Sequence, residues 1–426
     1  MTEKQGPSAS RDVTRARRAL ESLNFFMADM QAGIGPFLAV FLKQRGWATG
    51  PIGTVMTAGG IAGMICTAPA GAIIDHSRQK RLIVIVTGMC TVAASFLMLL
   101  SQSVLVVTAS QIATAIAGAM IGPAVAGITL GIVRQRGFNA QNGRNQAWNH
   151  AGNVVGAALS GWLGWRFGLP AIFYLAGLFG IFAILSVLLI PEPVIDHAAA
   201  RGLESKDGEG HSGKAQGIQI LLQNKPMLIL AAALACFHLG NAAMLPLYGL
   251  AVVGAGKGDA AAFTATTVVV AQAVMIGTSL AAMRIAAGRG FWLVMLISFA
   301  ALPIRGLVAS LVIEHWGVWP VQALDGIGAG LQSAAVPGLV ACLLDGTGRV
   351  NVGQGAVMTV QGLGASLSPA VGAWIAQLIG YREAFLVLGS FALVSLALWI
   401  GFAGLLRPAC GGQRRPETIP AAPAAT

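Results

Sequence analysis

Segments of about twenty predominantly apolar residues recur twelve times along this 426-residue chain, and the second six repeat features of the first six. At 1.5 Å of rise per residue, each is long enough to cross the roughly 30 Å of hydrocarbon in a bilayer. They fall near 23–42, 52–74, 82–100, 104–125, 146–164, 170–190, 227–247, 263–283, 291–313, 318–340, 356–378 and 384–406. Gly152, Gly156, Ser160, Gly161 and Trp162 are answered 212 positions later by Gly364, Ser368, Gly372, Ala373 and Trp374, with Ser368 opposite Gly156, Gly372 opposite Ser160 and Ala373 opposite Gly161. At the same offset Phe25 meets Phe237, Gly177 meets Gly389, and Asp29 meets Asn241. The expected fold is an all-α integral membrane protein whose twelve transmembrane helices form two pseudo-symmetric six-helix bundles. Two such halves around a central site describe a solute carrier.

Composition closes off the soluble classes. Hydrophobic residues make up 55% of the chain and charged residues 10%, against roughly 25% charged in a soluble globular protein. The net charge of +11 reports orientation rather than a polyanionic partner. With both termini inside, 21 of the 27 Lys and Arg fall on cytoplasmic segments, from Arg11, Arg15, Arg17 and Arg18 to Arg414 and Arg415. That is the positive-inside bias. It gives the orientation expected of a multi-pass membrane protein with both termini cytoplasmic, and no nucleic-acid role. The first apolar stretch contains Asp29 and no evident cleavage site, so it reads as a span rather than a leader.

The expected organisation is a cytoplasmic tail (1–22), an N-terminal bundle (23–190), a cytoplasmic linker (191–225), a C-terminal bundle (226–406) and a second tail (407–426). The linker is polar and rich in charge, and its His197 and His211 read as solvated. The cysteines show neither a disulfide framework nor CxxC metal spacing. No GxSxG, HExxH, Walker or dinucleotide motif supports an enzyme, a cofactor or a metal. Gly346-Thr-Gly348-Arg349 lacks the lysine and preceding strand of a phosphate loop.

Three features carry a family resemblance. One is the two-half plan with its long inner linker. Another is the loop after the second span, Gly71-Ala-Ile-Ile-Asp75-His76-Ser-Arg78-Gln-Lys80-Arg81, which keeps the glycine, acid and basic cluster of G-x-x-x-D-R-x-G-R-K/R. His76 stands for the first arginine and Arg78 for the second glycine. The third is the glycine series Gly152, Gly156 and Gly161 in span five, close to G-x-x-x-G-P-x-x-G-G, with Ala157 and Ser160 as departures. The chain thus resembles the major facilitator superfamily, and within it bacterial proton antiporters of drugs or metabolites. The arginine expected before Gly118 in span four is Thr114 here. The resemblance implies a monomer, a cavity lined by spans 1, 4, 7 and 10, and an inner-side charge latch built from Gly71, Asp75, Arg78 and Arg81.

Ionisable residues inside spans are costly, and so informative. Asp29 is the candidate proton-coupling acid. His238 and Asn241 lie three apart on one face of span seven. Gln322 and Asp325 lie on span ten, with Gln332 beyond them. With Gln111 of span four, His238, Asn241, Gln322 and Asp325 are the candidate cavity residues. Arg305 in span nine counts to the depth of Asp325, which leaves two readings: a structural ion pair, or a pair that opens with substrate. Asn149, Asn153, Gln272 and Gln361 are weaker candidates. Gly152, Gly156, Gly161, Gly364 and Pro369 are expected to bend their helices. The resulting expectation is proton-coupled export of a small organic solute across the lipid bilayer. Proton symport inward is the alternative, and a non-transporting receptor or membrane enzyme the second.

Overall fold

Hydrocarbon offers a backbone amide no water, so a spanning segment must satisfy its own hydrogen bonds. The computed structural model describes residues 7–32, 34–197, 199–201, 223–344 and 350–410, and every regular element among them is helical. One half holds α1 (Pro7–Ala32), α2 (Ile34–Gln44), α3 (Thr49–His76), α4 (Lys80–Leu100), α5 (Val104–Phe167) and α6 (Pro170–Leu188). The other holds α7 (Lys225–Asn241), α8 (Met244–Gly254), α9 (Ala260–Arg289), α10 (Phe291–Leu311), α11 (Val318–Leu343), α12 (Val350–Leu378) and α13 (Tyr381–Gly401), followed by the short α14 (Ala403–Ala409). His211 and the Gly346–Arg349 motif lie outside the described residues, as do the side chains of Asp29 and Asp75.

These helices make twelve crossings. The first is shared by α1 and α2, and its counterpart at the offset of 212, the seventh, by α7 and α8. As a single rod the 64 residues of α5 would reach about 96 Å. The helix therefore holds the fourth and fifth crossings, jointed at Arg134, whose φ of 55° is left-handed. The joint is pinned from both sides. Arg134 Nη2 lies 3.2 Å from Asp196 Oδ2, and the Asp196 amide donates to the Gly131 carbonyl.

Among the described residues, nine helical stretches are long and apolar enough to cross a membrane by length and composition. The remaining crossings are α1–α2, the second half of α5, and α12. Two of these, the second half of α5 and α12, run along the boundary between the bundles, where protein replaces lipid and polar side chains find partners.

Local chemistry sets the helix starts. Asn224 Oδ1 accepts the Met227 amide ahead of α7, and Asp259 Oδ1 accepts the amides of Ala261 and Ala262 ahead of α9. Such caps satisfy amides that have no partner within the helix. Helix α1 begins at Pro7, inside the stretch expected as a tail. Its Ala16, Leu20 and Leu23 are fully buried against Ile74, Ile128 and Ile190.

The bundles meet along two seams related by the repeat. In the first, glycines of α3 let α12 approach: Gly50 faces Trp374, Gly53 the Pro369 carbonyl, and Gly60 Ser366. Hydrogen bonds cross it from Trp374 Nε1 to Thr54 Oγ1 (3.0 Å), from the Ala370 amide to Thr57 Oγ1 (2.9 Å) and from the Gly50 amide to Gln377 Oε1 (2.7 Å). In the second seam Gly161 and Gly164 of α5 face Ala265 and Ala261 of α9. Both contacts lie toward the end of the molecule remote from the described chain ends. Toward the opposite end, space opens around Gly71 of α3, Gly277 of α9 and Gly355 of α12. The contacts that join the halves are thus gathered toward the end remote from the described chain ends.

Glycines expected to bend helices also serve close approach. A Cβ on Gly152 would strike the Phe25 carbonyl oxygen, and one on Gly364 the Ala235 carbonyl oxygen. Gly156 is buried in the same helix as Gly152 and Gly161. Helix α12 continues through Pro369 without a break. Gly364→Ala should therefore destabilise the purified protein by about 1–3 kcal/mol. Gly118→Ala, with nothing within 4 Å of its added methyl, should stay within about 0.5 kcal/mol. Thermal unfolding in detergent distinguishes the two, and equal midpoints would refute close packing at Gly364.

Candidate functional site

A cavity of about 270 Å³ lies between the bundles. Its walls come from both halves: Pro36 and Phe37 of α2, Asn153 and Ala157 of α5, Leu245 of α8, Gln272 and Met275 of α9, and Asp325 and Ala329 of α11. Asp325 supplies its carboxylate, Asn153 and Gln272 its amides, and the other lining residues are apolar or glycine. A mostly apolar cleft with a few placed polar groups is the usual form of a small-molecule site.

Asp325 does not stand alone. Arg305 of α10 is 1% exposed and Asp325 13%, and Arg305 Nη1 donates to Asp325 Oδ1 at 2.8 Å. Asn241, at the end of α7, binds both partners: its Oδ1 accepts from Arg305 Nη1 (2.6 Å) and its Nδ2 donates to Asp325 Oδ1 (3.1 Å). Gln322, one turn before Asp325, accepts Arg305 Nη2 at 3.2 Å. Three helices thus converge on one guanidinium. The ion pair costs much desolvation and returns it through mutual attraction and these extra hydrogen bonds. No group among the described residues bonds Asp325 Oδ2, which leaves that oxygen as an acceptor on the cavity side. Arg305 Nε and Gln322 Nε2 are buried and meet no hydrogen-bond partner among the described residues.

The other expected cavity residues stand elsewhere. Gln111 of α5 packs beside Gly59 inside the N-terminal half, with its Nε2 3.5 Å from Met98 Sδ. His238 Nε2 pairs with Gln332 Oε1 at 3.1 Å, and Gln332 Nε2 donates to Ser298 Oγ at 2.9 Å, which ties α7, α11 and α10 together inside the C-terminal half. Asn241 and Gln322 hold the ion pair rather than line the cavity. In the inner loop, Arg78 is exposed. Arg81 binds within its own bundle, its Nη2 to the Leu188 carbonyl (3.3 Å) and its Nη1 3.7 Å from Glu192 Oε2. Gly71 faces open space, so the described latch residues do not reach across the bundles in this state.

A residue not among the sequence candidates joins the site. His150 of α5 lies 3.1 Å through Nδ1 from Gln272 Oε1 of α9, a polar contact across the second seam at the cavity's edge. It stands one turn before Asn153 on the face that later carries Ala157, Gly161 and Gly164. That spacing places it on the seam.

Two bundles that meet along polar-edged seams and wall a cavity from both halves have the form of a membrane transporter. The chain belongs to the Major Facilitator Superfamily, whose family description matches residues 21–351, and it is a secondary transporter of the alternating-access kind. It is 36% identical over 387 residues to the uncharacterized MFS-type transporters MT2531 and Rv2456c of Mycobacterium tuberculosis strains CDC 1551 / Oshkosh and ATCC 25618 / H37Rv, covering 91% of this chain and 92% of each relative. Among solved structures it resembles the nucleoside transporter NupG, with a TM-score of 0.72 and 14% identity over 92% of this chain and 99% of that one. It also resembles a bacterial homolog of the human lysosomal transporter Spinster, in an inward-facing and unoccupied conformation, with a TM-score of 0.68 and 14% identity over 95% and 98% of the two chains.

Removing one partner of the ion pair strands the other. Asp325→Leu should cost about 3–5 kcal/mol of stability. Adding Arg305→Met to it should recover most of that loss while transport stays absent. If the double variant is no more stable than the single one, the pair is not what holds α10 to α11.

Proposed function

We propose that this transporter exports a small organic solute in exchange for protons. It works as a monomer in the inner membrane of a bacterium, with both termini in the cytoplasm. The observation that carries this reading is the cavity, walled by both halves and closed at the two seams away from the described chain ends. With the termini inside, that opening faces the cytoplasm, the side from which an exporter loads. The basic residues of the inner loops support this orientation.

Transport follows from the geometry. Solute entering from the open side meets Asp325 Oδ2, Asn153 and Gln272 on an otherwise apolar wall. The pair of Asp325 and Arg305 is neutral as a unit, so it disfavours a strongly charged cargo of either sign and suits an uncharged molecule with hydrogen-bond donors and an apolar body. The nucleoside named for NupG is cargo of that protein; likeness at 14% identity carries the fold and assigns no nucleoside here. Rocking of the halves then parts the seams and closes the opposite side. Asp29 is the proposed proton carrier. It stands on α1, three residues before that helix ends at Ala32, where alternation between wet and dry surroundings would shift its proton affinity.

Proteoliposomes with an imposed pH gradient and a solute panel test the reading. An exporter accumulates solute on the side from which protons leave, whereas a symporter carries both the same way. Asp29→Asn should lower proton-coupled flux at least about tenfold while exchange of solute for solute continues. Unchanged coupling in that variant would remove Asp29 from the mechanism. In a background lacking the native cysteines, oxidising Thr57→Cys/Ala370→Cys should stop transport and reduction should restore it. Full activity in the cross-linked protein would mean that the first seam does not open.

A further inference from the structure

A second cavity, of about 250 Å³, lies at the opposite edge of the N-terminal half, away from the transport site. It is lined by Arg78, Lys80 and Arg81 at the start of α4, by Leu82 just beyond, and by Glu192 and His197 at the start of the linker. Three cations thus face one carboxylate. Glu192 offsets them weakly, because its side chain is 68% exposed and its oxygen lies 3.7 Å from Arg81. Lys80 is largely committed to its own turn, donating to the carbonyls of Ile74 (2.8 Å) and Ser77 (2.9 Å).

Two further atoms in this cavity lack partners. Arg81 Nε and His197 Nδ1 are both buried, and neither meets a hydrogen-bond partner among the described residues. A buried polar atom left unsatisfied in a native fold calls for an explanation, and a bound water or ion is one. Here two such atoms, from elements more than a hundred positions apart, line the same space as an exposed arginine. Arg78 stands where the family loop has glycine, so this basic lining belongs to this chain.

The cavity also has an apolar exit. Leu82, Val86 and Met89 of α4 are exposed by 49%, 48% and 58%. At spacings of four and three they form one stripe, running from the cavity along the helix into the bilayer. A phosphate beside the arginines with a hydrocarbon chain along this stripe satisfies both surfaces.

We infer that this cavity binds the phosphate group of an anionic phospholipid, with Arg78 and Arg81 as its ligands. Guanidinium forks match phosphate geometry, and basic pockets at the membrane edge take anionic headgroups. Binding there would fasten the loop after α3 to the beginning of the linker.

Native mass spectrometry of the full-length protein tests this, with phosphatidylglycerol, phosphatidylcholine or inorganic phosphate added to lipid-stripped samples. Phosphatidylglycerol should be retained, and phosphatidylcholine held at least about tenfold more weakly. Arg78→Gln/Arg81→Gln should lower retention of phosphatidylglycerol about tenfold, whereas Arg144→Gln, an exposed basic residue elsewhere, should leave it unchanged. Glu192→Gln supplies a readout that misfolding cannot imitate: removing the competing carboxylate should tighten phosphatidylglycerol binding about threefold. Equal retention of both lipids, undiminished binding by the arginine double variant, or no gain in Glu192→Gln would overturn the site. Displacement of the lipid by millimolar inorganic phosphate would overturn the lipid assignment in favour of a free anion.

Discussion

A polar atom in hydrocarbon has no solvent to turn to, and most of this architecture follows from that. Backbone groups close on themselves as helices. Side chains that cannot do so are moved to places where protein faces protein. Asn153 and His150 on α5, and Ser366 on α12, sit along the boundary between the halves. The same constraint explains Arg305. A guanidinium at this depth requires several acceptors, and two helices bring them to Arg305 of α10: Asp325 and Gln322 from α11 and Asn241 from α7. The network fixes the positions of these helices as much as it prepares a surface for solute.

That double duty shapes the transport site. Asp325 uses one oxygen to hold Arg305 and turns the other toward the cavity. Its charge is largely spent before any cargo arrives, so recognition falls to hydrogen bonding and apolar contact. Gln272 plays a similar double part across the second seam. Its carbonyl oxygen meets His150, and its side chain lines the cavity. A solute able to bond with Gln272 therefore competes with a contact that joins the two halves. Sensing of cargo and loosening of the seam would then converge on one amide.

Much of the fold was legible from residues. The twelve spans, their two halves and the offset of 212 follow from apolar length and glycine spacing, and helical rise alone brought Arg305 and Asp325 to one depth. What could not be read was helix rotation. Gln111 and His238 lie on helices expected to line a cavity, yet their side chains turn into their own bundles, because neighbours one helix away decide which face is central. His150 was recoverable: at intervals of three, four, four and three it precedes Asn153, Ala157, Gly161 and Gly164, the small-residue face of the seam. The early start of α1 was recoverable too. Ala16, Leu20, Leu23 and Met27 repeat at helical spacing beneath arginines that suggested a solvated tail. Gly364 adds a second role to the expected one, since a residue that permits bending can equally permit contact.

The contacts of α12 say what any movement of the halves must replace. Between α7 and α8 the seventh crossing is interrupted, and the amide of Ala243 is received by Ser368 Oγ of α12 at 2.9 Å. Nearby, Gly364 brings α12 against the Ala235 carbonyl of α7. Helix α12 is thus tied to α7 and to α3 by bonds of one kind, a main-chain amide on a side-chain oxygen: Ala243 on Ser368 in one direction, Ala370 on Thr57 and Gly50 on Gln377 in the other. Parting α12 from either neighbour leaves such an amide in a medium with nothing to replace its acceptor. Any stroke that separates the halves must therefore hand Ala370 and Gly50 a substitute, either water let in or another side chain brought round.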